Sequence, residues 1–187
     1  MTSLLVILGV IVALAFLIIG IYNRLVGLRQ TCRQAWSDIE VQLKQRQDLI
    51  PNLVNVVKGY AKHEKDTLKE VIAARNAAVS AGGVGDTVKA EGMLSQALGK
   101  LFALAEAYPD LKANTNFLQL QDELSDVENK ISAARRFYNN ATQEYNTGRE
   151  QFPANILAGS FNFGPRDFFE SSEGRETLEV APDVSFD

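Results

Sequence analysis

The sequence predicts an all-α protein in which a single N-terminal transmembrane helix precedes an elongated, antiparallel bundle of three to four helices. Three observations lead to this fold class. An uncharged apolar run opens the chain, and long stretches with helical spacing of apolar residues follow it. Short breaks containing glycine or proline separate these stretches. The length of 187 residues suits one domain with appendages.

Residues 1–23 are predicted to be a membrane anchor. Thr2 to Asn23 contain no charged residue, and the apolar run 4–22 approaches the roughly 20 helical residues that cross a hydrocarbon core. A cleaved signal peptide would carry a positively charged start, a shorter apolar core and a small-residue cleavage site. This N terminus lacks those features. We therefore expect an uncleaved, single-pass anchor whose partner is the lipid bilayer.

Arginine follows the anchor but does not precede it. Arg24, Arg29 and Arg33 lie on the C-terminal flank, and the N-terminal flank has no Lys or Arg. Because positive flanks tend to stay in the cytoplasm, we expect most of the protein on the cytoplasmic side of the membrane.

One face of the anchor carries small residues. Gly9, Ala13 and Gly20 fall together on that face, where a second helix could approach closely. They are candidate interface residues of a homo-oligomer, although glycine and alanine are common in such segments in any case.

The bundle is predicted over residues 24–150, and its first helix over 24–81, up to Gly82 and Gly83. Pro51 predicts a kink or a break inside this helix, because proline removes a hydrogen bond and clashes with the preceding turn. The apolar face of the helix has steps of three, four or seven residues with one extra neighbour: Trp36, Ile39, Leu43, Ile50, Leu53, Val54, Val57, Tyr60 and Ala61.

Two further helices are predicted over residues 87–107 and 112–148, with a break at Tyr108 and Pro109. The stripe of the second helix is Met93, Leu94, Ala97, Leu98, Leu101, Phe102 and Ala105. In the third helix, apolar steps of three and four alternate, which is typical of a bundle or coiled-coil seam: Phe117, Leu120, Leu124, Val127, Ile131, Ala134, Tyr138, Ala141 and Tyr145.

Residues 151–170 form an aromatic segment, and residues 171–187 an acidic tail that we expect to be flexible. The aromatic segment has too many large apolar groups to leave in water, each worth ~1.5–3 kcal/mol when buried. We expect it to pack back on the bundle or on a neighbouring copy.

The membrane-proximal half of the first helix, 36–49, has an apolar stripe without an obvious partner. The second helix is too short to cover more than the half beyond Pro51, so the stripe needs the folded-back segment or another copy. Trp36, Ile39 and Leu43 are therefore candidate interface residues.

Catalytic, cofactor-binding and metal-binding residues are not expected. Cys32 is the only cysteine, so an intrachain disulfide is excluded. His63 is the only histidine, and Thr67 stands where a zinc-protease H-E-x-x-H helix needs its second histidine. Nucleic acid is not an expected partner, because the net charge of −4 comes with no concentrated basic face.

Polar residues near the apolar stripes are candidates for a different role. Arg75 and Arg135 could pair with Glu128 or another acid, and Tyr138 with Asn139 could form a polar layer that fixes helix register. The alternative is that they line a ligand pocket between helices.

Several blocks of the sequence together resemble the LemA family, from Tyr22 to Phe169. They are Y-N-R-L-V, A-W-S-D-I-E-V-Q-L-K-Q-R, D-L-I-P-N-L-V, V-V-K-G-Y-A-K-H-E, A-A-R, A-Y-P-D-L-K-A, F-L-Q-L-Q, E-N-K-I-S-A-A-R-R-F-Y-N and F-N-F-G-P-R-D-F-F. The resemblance implies one N-terminal transmembrane helix, a mostly antiparallel helical bundle and no enzymatic activity, in the bacterial cytoplasmic membrane.

These observations favour a non-enzymatic scaffold that acts through self-association or through a membrane protein partner still to be identified. The alternative is a membrane-tethered sensor or adaptor that binds a small ligand or a signalling partner between its helices.

Overall fold

The computed structural model describes residues 1–169, which are helical in six segments. These are α1 (Thr2–Tyr60), α2 (Lys65–Ser80), α3 (Val84–Ala105), α4 (Pro109–Lys112), α5 (Thr115–Glu150) and α6 (Ala154–Ser160). Of the described residues, 85% are helical and none lies in a strand, which confirms the predicted all-α class. The predicted acidic tail, 171–187, lies outside the described residues.

The helix that contains the anchor is longer than the sequence predicts. α1 runs without interruption from Thr2 to Tyr60, so the apolar run and the first bundle helix are one element. Within the described residues, α1 contains the one helical stretch that is long and apolar enough to cross a membrane.

Of the kink or break predicted at Pro51, the structure excludes the break, and the kink stays a prediction. Pro51 lies inside α1 on an exposed face, while Ile50 and Leu53 beside it are fully buried. Burial of these side chains holds the helix together even though proline lacks an N–H donor. The actual break covers residues 61–64, after which α2 begins at Lys65, so the predicted helix 24–81 is two helices.

The later elements differ from the prediction mainly at their ends. The predicted helix 87–107 corresponds to α3, Val84–Ala105, and 112–148 corresponds to α5, Thr115–Glu150. Met93 was predicted to lie on the core stripe of α3, but its side chain is 53% exposed. α6 is an additional short helix within the aromatic segment.

The chain divides into two units, each with its own packing. Unit 1 comprises Met1–Ile39 and Ala134–Asp167, and unit 2 comprises Glu40–Ala133 together with Phe168 and Phe169 among the described residues. In unit 2, the core is formed by buried apolar side chains from α1 to α5, including Ile50, Leu53, Val57, Val71, Leu94, Leu101, Leu111 and Phe117.

In unit 1, α1 and α5 lie against each other in antiparallel directions. The rings of Trp36 and Tyr138 are 5.4 Å apart, and the Cys32 thiol donates a hydrogen bond of 3.1 Å to the Ala141 carbonyl. Nearer the anchor, a Cβ placed on Gly148 would lie 2.7 Å from Leu28 Cδ1, so the two helices approach closely there.

Candidate functional site

The interface predicted on α1 is buried within the chain itself. Ile39 is 0% and Leu43 5% exposed, and Trp36 is half-buried with its ring against Tyr138. Ile39 and Leu43 therefore have almost no free surface to offer another copy, which favours cover by the chain itself over the predicted alternative of an interface between copies. At Trp36 the cover comes from α5, which returns along α1.

The small residues of the anchor, unlike Ile39 and Leu43, lie on the surface of the protein. Gly9, Ala13 and Gly20 are exposed, and a Cβ added to Gly9 or Gly20 would meet no atom within 4 Å. Their role in self-association stays a prediction.

The four predicted polar residues are divided between the two units. Arg75 belongs to unit 2, where its Nε donates a hydrogen bond of 3.2 Å to the Gln47 carbonyl. Arg135, Tyr138 and Asn139 belong to unit 1, and the buried Tyr138 hydroxyl donates a 2.9 Å bond to the Asp167 carbonyl. Neither unit by itself contains a pocket lined by all four.

Unit 2 contains a buried ionic cluster that the sequence reasoning missed. Arg46 Nη1 lies 3.3 Å from Glu91 Oε2 and 3.0 Å from Glu128 Oε2, and Arg46 Nη2 donates a 2.8 Å hydrogen bond to Ser95 Oγ. Gln47 Nε2 donates to Glu91 Oε1 at 3.4 Å. One guanidinium thus joins α1, α3 and α5, and these contacts fix the register of the three helices.

Burial controls the charge state of this cluster. Arg46 and Glu91 are each 6% exposed. Desolvation raises the pKa of Glu91, although Arg46 and Gln47 favour its charged form. The sequence did contain a signal, because Arg46 follows Leu43 by three residues and precedes Ile50 by four, and so interrupts the apolar stripe.

A lysine-rimmed cleft of about 790 Å³ opens on unit 2, where α1 ends and α2 begins. The cleft is lined by Val54, Asn55, Lys58, Lys62, His63, Lys65, Leu68, Lys69 and Ile72. Its apolar wall and its positively charged rim are the two features that a binding site for an acidic, amphipathic segment requires.

The charges on the rim are largely unneutralised. Lys69 pairs with Asp66 at 3.2 Å, and both side chains are exposed. Lys58, Lys62 and Lys65 form no ion pair with any described residue. His63 is exposed at the same rim, as its charged surroundings in the sequence predict.

The aromatic segment packs back on unit 1, where side chains of α5 bind the backbone of residues 163–167. Tyr145 donates a 2.9 Å hydrogen bond to the Gly164 carbonyl, and Arg149 Nε a 3.1 Å bond to the Phe163 carbonyl. Asn146 binds both the N–H and the C=O of Arg166, at 3.0 and 2.9 Å. These bonds attach the segment to α5 whatever side chains it carries.

Cys32 and the possible metal ligands are the other chemically reactive groups among the described residues. Cys32 is fully buried, and burial raises the pKa of its thiol, which keeps it protonated at neutral pH. Among residues 1–169, no group of three His, Cys, Asp or Glu side chains is placed to hold a metal ion.

Comparison with known proteins gives a family and several relatives. The LemA family profile matches residues 35–186. Protein LemA of Metamycoplasma hominis is 28% identical over 160 residues, which cover 84% of this chain and 73% of that protein. Magnetosome protein MamQ of Magnetospirillum gryphiswaldense is 24% identical over 189 residues, which cover 87% of this chain and 70% of that protein. Magnetosome protein MamQ 1 of Paramagnetospirillum magneticum matches to the same extent.

Proposed function

The chain belongs to the LemA family, and we propose that this membrane protein is a non-enzymatic scaffold that holds a partner protein at the membrane surface. The lysine-rimmed cleft of unit 2 carries the proposal. The partner segment that best matches it is an amphipathic helix or strand with acidic residues beside an apolar face.

The cleft favours this partner for two physical reasons. Lys58, Lys62 and Lys65 attract carboxylates, and they lose no intrachain ion pair when they bind one. Leu68 is buried in the cleft wall, and Ile72 next to it is 44% exposed, so an apolar side chain can bury surface there.

The anchor supports a scaffold because it continues into the rest of α1 without a linker. α1 contains both the apolar run and the first wall of unit 1, so the protein is held by a helix and not by a flexible tether. We place the protein in the bacterial cytoplasmic membrane with its bulk in the cytoplasm, on the basis of Arg24, Arg29 and Arg33.

A sensor that binds a small ligand around Arg75, Arg135, Tyr138 and Asn139 has less support. The Tyr138 hydroxyl is already bonded to the Asp167 carbonyl, and Arg75 already binds a backbone carbonyl. Arg75 also belongs to a different unit from the other three.

Binding of a designed helical peptide tests the cleft directly. A fluorescent peptide with glutamates beside a leucine face is titrated with the full chain in detergent, and anisotropy is measured at several salt concentrations. We expect salt-sensitive binding that is at least several-fold weaker in Lys58→Glu/Lys62→Glu. The control, Lys89→Glu/Lys112→Glu, reverses two exposed lysines of unit 2 outside the cleft, and it also breaks the ion pair of Lys112 with Glu106.

Three outcomes would contradict the cleft as the docking site. The first is equal binding by both double variants, and the second is equal binding of a lysine-containing peptide with the same leucine face. The third is a cleft that binds vesicles of anionic lipid but not the acidic peptide, which would make it a lipid site.

A further inference from the structure

Unit 1 carries an exposed aromatic surface that the scaffold proposal does not use. It consists of Tyr22, Phe152, Ile156 and Phe161, which are 37%, 81%, 61% and 49% exposed. Large apolar side chains grouped in this way mark a binding surface more often than single exposed ones do. The segment that carries Phe152, Ile156 and Phe161 is also uncharged, since no Asp, Glu, Lys or Arg occurs between Glu150 and Arg166.

The packing of α1 and α5 places this surface near the end of the membrane span. Trp36 contacts Tyr138, Cys32 contacts Ala141, and Leu28 lies against Gly148, so each step toward the anchor on α1 matches a step toward the C terminus of α5. Continued in this register, the end of α5 and the following Phe152 reach roughly the level of residues 22–26 of α1, where the apolar run ends.

Direct contacts give the same position for the other end of the surface. The ring of Phe161 lies 5.2 Å from that of Tyr22, the last residue of the apolar run, in an edge-to-face arrangement. The buried Ala154 and Ala158, one turn apart, attach α6 to the unit, and this leaves Ile156 on its outer face.

We propose that the aromatic surface lies in the interfacial layer of the bilayer, beside the point where α1 leaves it. Aromatic side chains favour the headgroup level of a membrane, and short apolar helices lie in its plane with one face immersed. The lack of charge between residues 151 and 165 suits this layer. The protein thus has two contacts with the same membrane, the span of α1 and the surface around α6.

This inference rests on the membrane anchoring that the proposed function assumes, but it does not depend on the lysine-rimmed cleft. The two proposals therefore fail separately. If the cleft does not bind the peptide, the aromatic surface can still lie in the membrane. If the aromatic surface lies in water, the cleft can still bind the peptide.

Depth-dependent fluorescence quenching tests the contact in proteoliposomes of the full chain. Single-tryptophan proteins are made on a Trp36→Phe background, with Phe161→Trp as the test and Phe16→Trp as a reference inside the span. The matched control is Phe137→Trp, a site of unit 1 with the same 49% exposure, about 20 Å along α5 from Phe152.

We expect shallow lipid-attached quenchers to quench the Phe161→Trp protein several-fold more than the Phe137→Trp protein, and deep quenchers to act most strongly on Phe16→Trp. Equal quenching of the test and control proteins would overturn the inference. The inference would also be overturned if the Phe161→Trp tryptophan were shielded from aqueous quenchers but not quenched by the lipid-attached ones. That result would indicate that a protein partner covers the surface. If the lipid-attached quenchers do not quench the Phe16→Trp reference protein, the prediction that α1 spans the membrane is overturned as well.

A second measurement leaves Trp36 and the phenylalanines unchanged. A photo-crosslinking phenylalanine analogue replaces Ile156 in the otherwise natural chain, and circular dichroism checks that its helical content is retained. Crosslinks to lipid support the contact, and a chain that crosslinks only to protein or to water contradicts it.

Discussion

Glu91 is a carboxylate whose buried surroundings change its charge chemistry. Burial raises its pKa above the ordinary value of 4.5, with Arg46 and Gln47 opposing the shift and Glu128 adding to it. A raised pKa means that the folded protein binds this proton more tightly than the unfolded chain does. The contribution of Glu91 to stability therefore increases as the pH falls through its raised pKa, and levels off below the unfolded value.

The substitution Glu91→Gln isolates this contribution, because glutamine keeps the size and the polarity of the side chain. We expect the variant to be more stable than the natural protein at pH 7, and the difference to shrink as the pH falls toward 4.5. Arg46 keeps its ion pair with Glu128, at 3.0 Å, in the variant. The measurement is thermal unfolding of the full chain in detergent by circular dichroism across this pH range.

The substitution needs its own control, and Glu123→Gln provides one at an exposed position of α5. A stability difference for Glu91→Gln that does not change with pH would contradict the raised pKa. A variant less stable at pH 7 would show that the ion pair with Arg46 outweighs the desolvation of the carboxylate.

At the residue scale, sequence patterns predicted apolar burial more reliably than polar contacts. The stripe from Phe117 to Tyr145 is buried or half-buried along its whole length. The ionic cluster around Arg46 was missed because its three charged members lie on α1, α3 and α5. Of the three, only Arg46 can be recognised as buried from the sequence, because it interrupts an apolar stripe. The partners of a buried charge are set by packing between helices, which the spacing within one helix does not specify.

At the scale of elements, two glycines in similar helical positions have different surroundings. Gly148 of α5 is the glycine where an added Cβ would come within 2.7 Å of Leu28 Cδ1. Gly99 of α3 faces open space, with no atom within 4 Å of such a Cβ. A side chain at position 148 would therefore have to displace the Leu28 side chain that lies against α5 there.

Replacing each of the two glycines with leucine separates the effect of helix propensity on stability from the effect of packing. We expect Gly148→Leu to destabilise the chain by about 1–3 kcal/mol, since moving one methyl of Leu28 cannot make room for a whole side chain. Gly99→Leu should instead stabilise by up to about 1 kcal/mol, because leucine is the better helix former. Denaturant unfolding of the full chain in detergent compares the two variants, and equal effects would contradict the close approach.

The ends of the elements show where sequence reasoning reached its limit. Proline is a local signal for a break, but burial of Ile50 and Leu53 outweighed it, and α1 ends instead at Tyr60. Spacing within α1 also left open what covers Ile39 and Leu43, because the helix that returns along α1 belongs to a later part of the chain. Contacts between residues distant in sequence decided both cases.

At the scale of the whole molecule, the fold class and the family followed from the sequence because both depend on patterns repeated over many residues. The long apolar start of α1, the all-α class of the described residues and the LemA family are confirmed. The lysine-rimmed cleft was missed for a physical reason. Its lysines belong to α1, to the turn and to α2, and the sequence pattern predicts no break between Tyr60 and Lys65.

Membrane orientation is a property of the whole chain, and flanking charge predicts it. With Arg24, Arg29 and Arg33 after the span and no Lys or Arg before it, we expect the C terminus in the cytoplasm. A C-terminal green fluorescent protein should then fluoresce, and a C-terminal alkaline phosphatase should be inactive, since it needs the oxidising side of the membrane. An active phosphatase fusion would contradict the orientation.

A charge-reversed variant tests the cause of that orientation, and the structure dictates which arginines it can change. Arg29 must stay, because its guanidinium lies 4.8 Å from the Phe163 ring and its loss would disturb the packing of unit 1. Arg24→Gln and Arg33→Gln are therefore combined with Thr2→Arg and Ser3→Arg. We expect part of the population to place its C terminus outside, with phosphatase activity rising as fluorescence falls. Unchanged reporters would mean that the folded bulk, and not the flanking charge, sets the orientation.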